Sequence, residues 1–195
     1  MQSLVLFLFA CSLAAAPAPV RVLIAYHSRT GNTEKMAAAI GEGAAAVVGV
    51  QVTLRKIAAV TNEEIVQADG IVLGTPVEWA TLSAETKAFL DRIGQVLSKP
   101  APPAFGEGRT AGVFCTAGTP SNGQELARLS AIAAFLALRF VIIGGVNDEG
   151  FGSLGPQAAT AGKPPGPTAR DLADARRFGE RFARLTLQLR RQPLP

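Results

Sequence analysis

The sequence predicts an α/β fold, a five-stranded parallel sheet with helices packed on both faces. Three observations predict it. Short apolar runs of β type alternate with longer segments whose apolar residues recur every three or four positions. The run Ile71-Val72-Leu73-Gly74 is continuously apolar, as strands buried on both faces of a parallel sheet are. A chain of 195 residues also suffices for one domain with a full core.

The elements follow in order. Val22, Leu23 and Ile24 carry the first strand, and Met36, Ile40, Ala44 and Val47 the first helix. Residues 50–54 alternate as a second strand, and residues 58–69 form a short helical or irregular link. After the strand at 71–74 comes a helix with Leu82, Phe89, Leu90, Ile93 and Leu97 on one side. Residues 98–108 are rich in Pro and Gly and form a loop. Residues 110–115 are the fourth strand, and Leu126, Leu129, Ile132, Ala133 and Leu136 mark the next helix. Residues 140–143 are the last strand. Residues 144–167 are dense in Gly and Pro, with little secondary structure expected. Leu172, Ala175, Phe182, Leu185 and Leu189 mark a closing helix.

Five such strands suit the doubly wound order 2-1-3-4-5. In that order a ligand lies beyond the carboxyl ends of the strands, near strands 1 and 3. No internal repeat or second domain is apparent, and the domain is expected over residues 20–191. The string Gly41-Glu42-Gly43-Ala44-Ala45-Ala46 has dinucleotide-loop spacing but lies inside the first helix, so it is set aside.

Composition narrows the function. Two cysteines, Cys11 and Cys115, exclude a disulfide framework and a Cys-based metal site. The single His27 leaves no His cluster for metal or triad chemistry, so no metal is expected. The net charge of +4 is mildly basic, with arginines gathered between Arg170 and Arg191 among interspersed acids. Without aromatic platforms or a recognised module, that helix reads as a solvated face, and no nucleic-acid partner is expected. Residues 4–16 are apolar and uncharged, too short to span a membrane comfortably. Residues 1–18 read as a signal peptide or apolar leader, with small residues at Ala14, Ala16 and Ala18 near candidate cleavage sites. Cys11 is a poor lipoprotein signal. An uncleaved extension and a true start at Val20 are the competing readings. Export implies a periplasmic or secreted protein; a start near Val20 implies a cytoplasmic one.

The chemistry concentrates in three loops. Ser28-Arg29-Thr30-Gly31-Asn32-Thr33 joins the first strand directly to the first helix. Free N–H groups at a helix start and the helix dipole favour an anion in such a turn. Gly31 permits positive φ, and the hydroxyls of Ser28, Thr30 and Thr33 add donors. The site is built for a phosphate, and it is not a P-loop, because no Lys follows a Gly here. Thr75-Pro76-Val77-Glu78-Trp79 leaves the third strand, and Trp79, the one Trp of the chain, is placed to stack on a planar ligand. Thr116-Ala117-Gly118-Thr119, with Gly123 further on, leaves the fourth strand and offers small polar residues and close backbone approach. His27, Glu78 and Cys115 read as structural or solvated rather than catalytic.

The first loop resembles that of the flavodoxin family, where a Thr/Ser-x-Thr-Gly-Asn-Thr turn holds the phosphate of flavin mononucleotide, FMN. Together the loops resemble the flavodoxin-like NAD(P)H:quinone oxidoreductases of the tryptophan-repressor-binding-protein type. Further markers are Gly74-Thr75-Pro76 followed by Lys87-Ala88-Phe89-Leu90-Asp91, and Ala117-Gly118-Thr119 followed by Gly123-Gln124-Glu125. The resemblance runs from about Arg21 to Leu187. It implies FMN as cofactor, NADH or NADPH as reductant, a quinone or similar small acceptor, and a homo-oligomer. It implies no catalytic side chain, since the flavin carries the chemistry. Where the family commonly has a His before Gly-Gly-Gln-Glu, this chain has Ser121-Asn122. A flavodoxin-type electron carrier and an FMN reductase are the alternatives; carriers are usually strongly acidic, unlike this chain.

Overall fold

The computed structural model describes residues 18–100, 105–120, 122–147, 149–162 and 165–191. Residues 1–17, and with them nearly all of the expected leader and Cys11, lie outside the described residues.

The chain alternates as expected: β1 (Val20–Tyr26), α1 (Asn32–Ala45), β2 (Val50–Lys56), α2 (Asn62–Gln67), β3 (Gly70–Glu78), β4 (Thr81–Leu82) and α3 (Ala84–Leu97). Then follow β5 (Thr110–Ala117), α4 (Gln124–Ala137), β6 (Val141–Ile142), β7 (Gly145–Val146), β8 (Gly152–Ser153), β9 (Gln157–Ala159) and α5 (Ala169–Arg191). The main sheet runs β2-β1-β3-β5-β6, all parallel. This is the predicted 2-1-3-4-5 order.

Three local expectations change. The last strand is shorter than residues 140–143, and its place beside β5 is shared. β6 pairs with Thr110 and Ala111, while β9 pairs with Cys115, Thr116 and Ala117. Between them β7 and β8 form a small antiparallel hairpin. Residues 144–167 therefore hold more regular structure than their Gly and Pro content suggested. β3 also runs four residues past Gly74 and folds back through β4, so Thr75, Pro76, Val77 and Glu78 sit on a strand rather than in a loop.

Strand alternation divides the core. Val22, Ile24 and Val72 face α1 and α5 with Met36, Ile40, Phe178 and Phe182. Leu23, Ala25, Ile71 and Leu73 face the other layer with Leu90, Ile93 and Phe135. The α1–α5 contact is a close one, made by two glycines. A Cβ on Gly43 would lie 1.9 Å from the Arg176 carbonyl oxygen, and one on Gly179 would lie 2.0 Å from that of Ile40. Gly43, the second glycine of the Gly-x-Gly string in α1, thus serves helix packing. α4 buries Gln124, Ala127, Arg128, Ala131 and Phe135. Leu126, Leu129 and Leu136 face outward.

Candidate functional site

The candidate site is assembled at the carboxyl edge of three adjacent strands. Register places Gly74 of β3 beside Tyr26 of β1 and Phe114 of β5. The segments that follow these residues leave the sheet side by side.

The first turn joins β1 to α1. Gly31 stands at the start of α1 with φ of 83°, and nothing approaches within 4 Å of where its Cβ would be. It has no side chain to cap the helix, and Ser28 from the turn before it does part of that work. The Ser28 hydroxyl accepts from the N–H of Gly31 at 3.1 Å and of Glu34 at 3.4 Å. Asn32 donates its amide to the Thr30 hydroxyl at 3.2 Å. Thr33 differs from Thr30. It is buried, and its hydroxyl lies 2.8 Å from that of Thr116 at the end of β5.

The second segment is a tight hairpin. Glu78 pairs with Thr81, leaving Trp79 and Ala80 as the turn, with φ of 49° and 65°. Two-residue hairpins want left-handed residues at both positions, which glycine or asparagine supplies without penalty. A bulky Trp and an Ala there store about 1–3 kcal/mol each. Trp79 is 99% exposed. Thr75 is buried, its hydroxyl donating to the Pro76 carbonyl at 2.8 Å and accepting from the Ser83 N–H at 3.3 Å.

The third loop leaves β5 through buried Thr116 and Ala117 into exposed Gly118, Thr119 and Pro120. A Cβ at Gly118 would meet nothing within 4 Å, so this backbone is open to approach. Gly123 is different. Its φ is 80°, and a Cβ there would sit 2.3 Å from the Ala80 Cα, so its bareness admits the hairpin. The segments are tied by further contacts. Arg29 donates to Glu78 at 3.1 Å. Thr160 donates its N–H and its hydroxyl to the Ala117 carbonyl at 2.8 and 3.0 Å, and Ala161 donates to that of Gly118. A Cβ on Gly166 would lie 3.5 Å from the Asn32 Oδ1, so residues after β9 border the first turn.

Electrostatics sharpen the picture. Burial and the Glu34 carboxylate push the Tyr26 phenol up to about 12, its hydroxyl donating to Glu34 at 2.8 Å. Burial pushes the Cys115 thiol up to about 12 and makes it an unreactive thiol. Glu85, at the start of α3, is held below the usual carboxylate range, chiefly by its own backbone N–H; desolvation opposes this, and His27, Arg29 and Ser83 add to the lowering.

These residues fit a flavin nucleotide: a helix start opened by an uncluttered glycine and ringed by hydroxyls for the phosphate, and a projecting indole for the rings. Sequence reading missed the residues after β9, Thr160 and Gly166, which lie in a segment without periodicity. It also missed buried Arg128, which holds β9 from α4 through Gly155 and Gln157. The grouping of His27, Glu78 and Glu85 was likewise invisible, because far-apart positions meet only when β1, β3 and α3 are packed.

The flavodoxin domain family model matches residues 23–105. A relative called flavodoxin, from Aquifex aeolicus, is 31% identical over 166 residues, covering 84% of this chain and 85% of that one. A relative called NAD(P)H dehydrogenase (quinone), from Acidithiobacillus ferrooxidans, is 30% identical over 205 residues, covering 87% and 98%. Among solved structures, a WrbA-like flavodoxin from Agrobacterium tumefaciens has a TM-score of 0.70 at 22% identity, covering 87% of this chain and 98% of that one. Both relatives and the solved structure match over 84% of this chain or more, whereas the family model covers its first half. This chain belongs to the flavodoxin family, a family of FMN-binding redox proteins.

Proposed function

We infer that the protein is an FMN-dependent oxidoreductase that passes electrons from NADH or NADPH to a quinone or similar small acceptor. The observation that carries this reading is the convergence of the glycine-opened α1 turn, the Trp79 hairpin and the open backbone at Gly118 on one edge of the sheet. The relatives called NAD(P)H dehydrogenase (quinone) support it. FMN supplies the two-electron redox chemistry when bound. Around it, Ser28, Thr30, Gly31, Asn32 and Thr33 hold the phosphate with backbone N–H groups and hydroxyls. Arg29 adds charge. Trp79 covers the rings. The backbone from Thr75 to Glu78, and from Thr116 to Thr119, lines the flavin edge. The electron-carrier reading is favoured by the Aquifex relative called flavodoxin and opposed by the net charge of +4.

The single Trp makes the test direct. Adding FMN to the purified protein should quench Trp79 emission with a stoichiometry of one per chain. Thr30→Ala should weaken that binding. Oxidation of NADH or NADPH that needs added benzoquinone identifies the enzyme; FMN binding without such turnover identifies the carrier. No quenching and no yellow colour would remove the flavin assignment.

A further inference from the structure

We propose that His27, Glu78 and Glu85 form a binding site for a divalent transition cation of the zinc type. One ligand atom from each residue lies within 4.8 Å of the other two. His27 Nε2 and Glu85 Oε2 are already 3.7 Å apart. Ligands around a tetrahedral zinc ion, bound at about 2.0–2.1 Å, stand about 3.4 Å from one another. A modest turn of two glutamate side chains closes the difference, and Glu85, half exposed, has room to make it.

The imidazole is the observation that points to a ligand. His27 Nε2 is shielded from solvent and has no hydrogen-bond partner, although two carboxylates face it. A buried ring nitrogen without a partner costs free energy that a bound ion returns. The three residues also come from braced positions. The His27 N–H donates to the Gly74 carbonyl at 3.0 Å, fixing the end of β1 to β3. Glu78 is the last residue of β3 and is paired across the hairpin with Thr81. Glu85 lies in the first turn of α3, whose start is capped by Ser83, the hydroxyl accepting from the Thr86 N–H at 3.2 Å.

One imidazole and two carboxylates suit zinc, cobalt or nickel, with water completing the shell. The charge balance agrees, since two carboxylates meet a doubly charged ion. Arg29 offsets part of the acid charge, but it is two-thirds exposed on the turn and can swing away when an ion enters. The site needs neither flavin nor pyridine nucleotide, so its test is separate from that of the redox reading.

Zinc is titrated into the purified chain, in phosphate-free buffer at neutral pH, against a chromophoric chelator. Binding of one zinc per chain is expected. His27→Ala and Glu85→Gln should each weaken it by at least about tenfold, the loss that removal even of an outer-shell partner brings. Circular dichroism and the melting temperature check that each variant folds. If His27→Ala fails to fold, Glu85→Gln, altered on the solvent side, decides alone. Absence of stoichiometric binding, or zinc affinity unchanged in the folded variants, overturns the site.

Discussion

The hydroxyls of Thr33 and Thr116 lie 2.8 Å apart in the interior, joining the first turn of α1 to the end of β5. Two of the three segments of the candidate site are thereby set in position by one buried bond. Thr33→Val or Thr116→Val strands the other hydroxyl in an apolar setting and should cost about 1–3 kcal/mol. The double Val variant leaves no orphan and should recover much of that loss. Urea unfolding of the four proteins gives the coupling directly. Purely additive losses would mean that the two hydroxyls do not depend on each other.

Three glycines within α1 and α5 should respond oppositely to the same change. Gly43→Ala and Gly179→Ala drive a methyl group into a backbone carbonyl at 1.9 and 2.0 Å, which helices can relieve only by moving apart. Each should destabilise by about 2–3 kcal/mol or more. At Gly41 the nearest atom to an added Cβ is Ile24 Cδ1 at 3.7 Å, an ordinary contact. Gly41→Ala should therefore gain up to about 1 kcal/mol from helix propensity. Thermal melts of the three variants check the contrast.

The strand order and the first turn were legible because local signals were strong there. Continuous apolar runs marked β1, β3 and β5, and the turn chemistry of residues 28–33 has few other uses. The outer edge was not legible, because β6 has two residues and β9 three, too few for alternation to register. α4 shows a different limit. Its leucines announce a helix, yet Leu126, Leu129 and Leu136 are exposed while smaller Ala127 and Ala131 meet the sheet. Close packing against β5 favours small side chains, so apolar size misidentifies the buried face. The roles of Gly123 and His27 depend on residues far away in sequence, and spacing alone carries no trace of them.

The Trp79–Ala80 turn holds strain that one substitution can release. Ala80 sits at φ of 65° with a Cβ that resists it. Ala80→Gly should stabilise the protein by about 1 kcal/mol. Gly123→Ala should do the reverse, because its Cβ would strike the Ala80 backbone at 2.3 Å. Denaturant midpoints report both, and a destabilising Ala80→Gly would mean that the hairpin is not held in this geometry.

Alkaline titration should expose the buried thiol. The unfolded Cys115 ionises near the ordinary value of 9.0, whereas burial raises the folded value to about 12. Between these values the folded chain retains a proton that the unfolded chain has lost. Stability that is fully present below pH 9 is then lost as pH rises toward 12, at up to roughly 1.4 kcal/mol per unit. Tyr26, raised from 10.0 to about 12, adds to the decline above pH 10. Urea midpoints at pH 8, 9 and 10 should fall less steeply in Cys115→Ala than in the parent. Equal slopes would show that the thiol ionises freely in the folded protein.

Arg128 should control the edge of the site from outside it. Its guanidinium is 5% exposed and donates to the carbonyls of Gln124 at 3.2 Å and Gly155 at 2.5 Å, and to the Gln157 side chain at 2.6 Å. Those contacts hold β9 against β5, and the chain beyond β9 in turn donates to the carbonyls of Ala117 and Gly118 in the third loop. Arg128→Met keeps the bulk of the side chain but leaves the buried Gly155 carbonyl without its donor, at a cost of about 1–3 kcal/mol. Lysine cannot reproduce the fork of donors, so Arg128→Lys should recover only part of it. Hydrogen exchange locates the damage. The amides of Cys115, Thr160 and Ala161 should lose protection first, because their acceptors lie along the β5–β9 seam, while β1 amides keep theirs. FMN affinity should fall with them, since the loop that Arg128 braces through β9 is the one proposed to line the flavin edge. Uniform loss of protection across the sheet would instead make Arg128 a support of the whole fold.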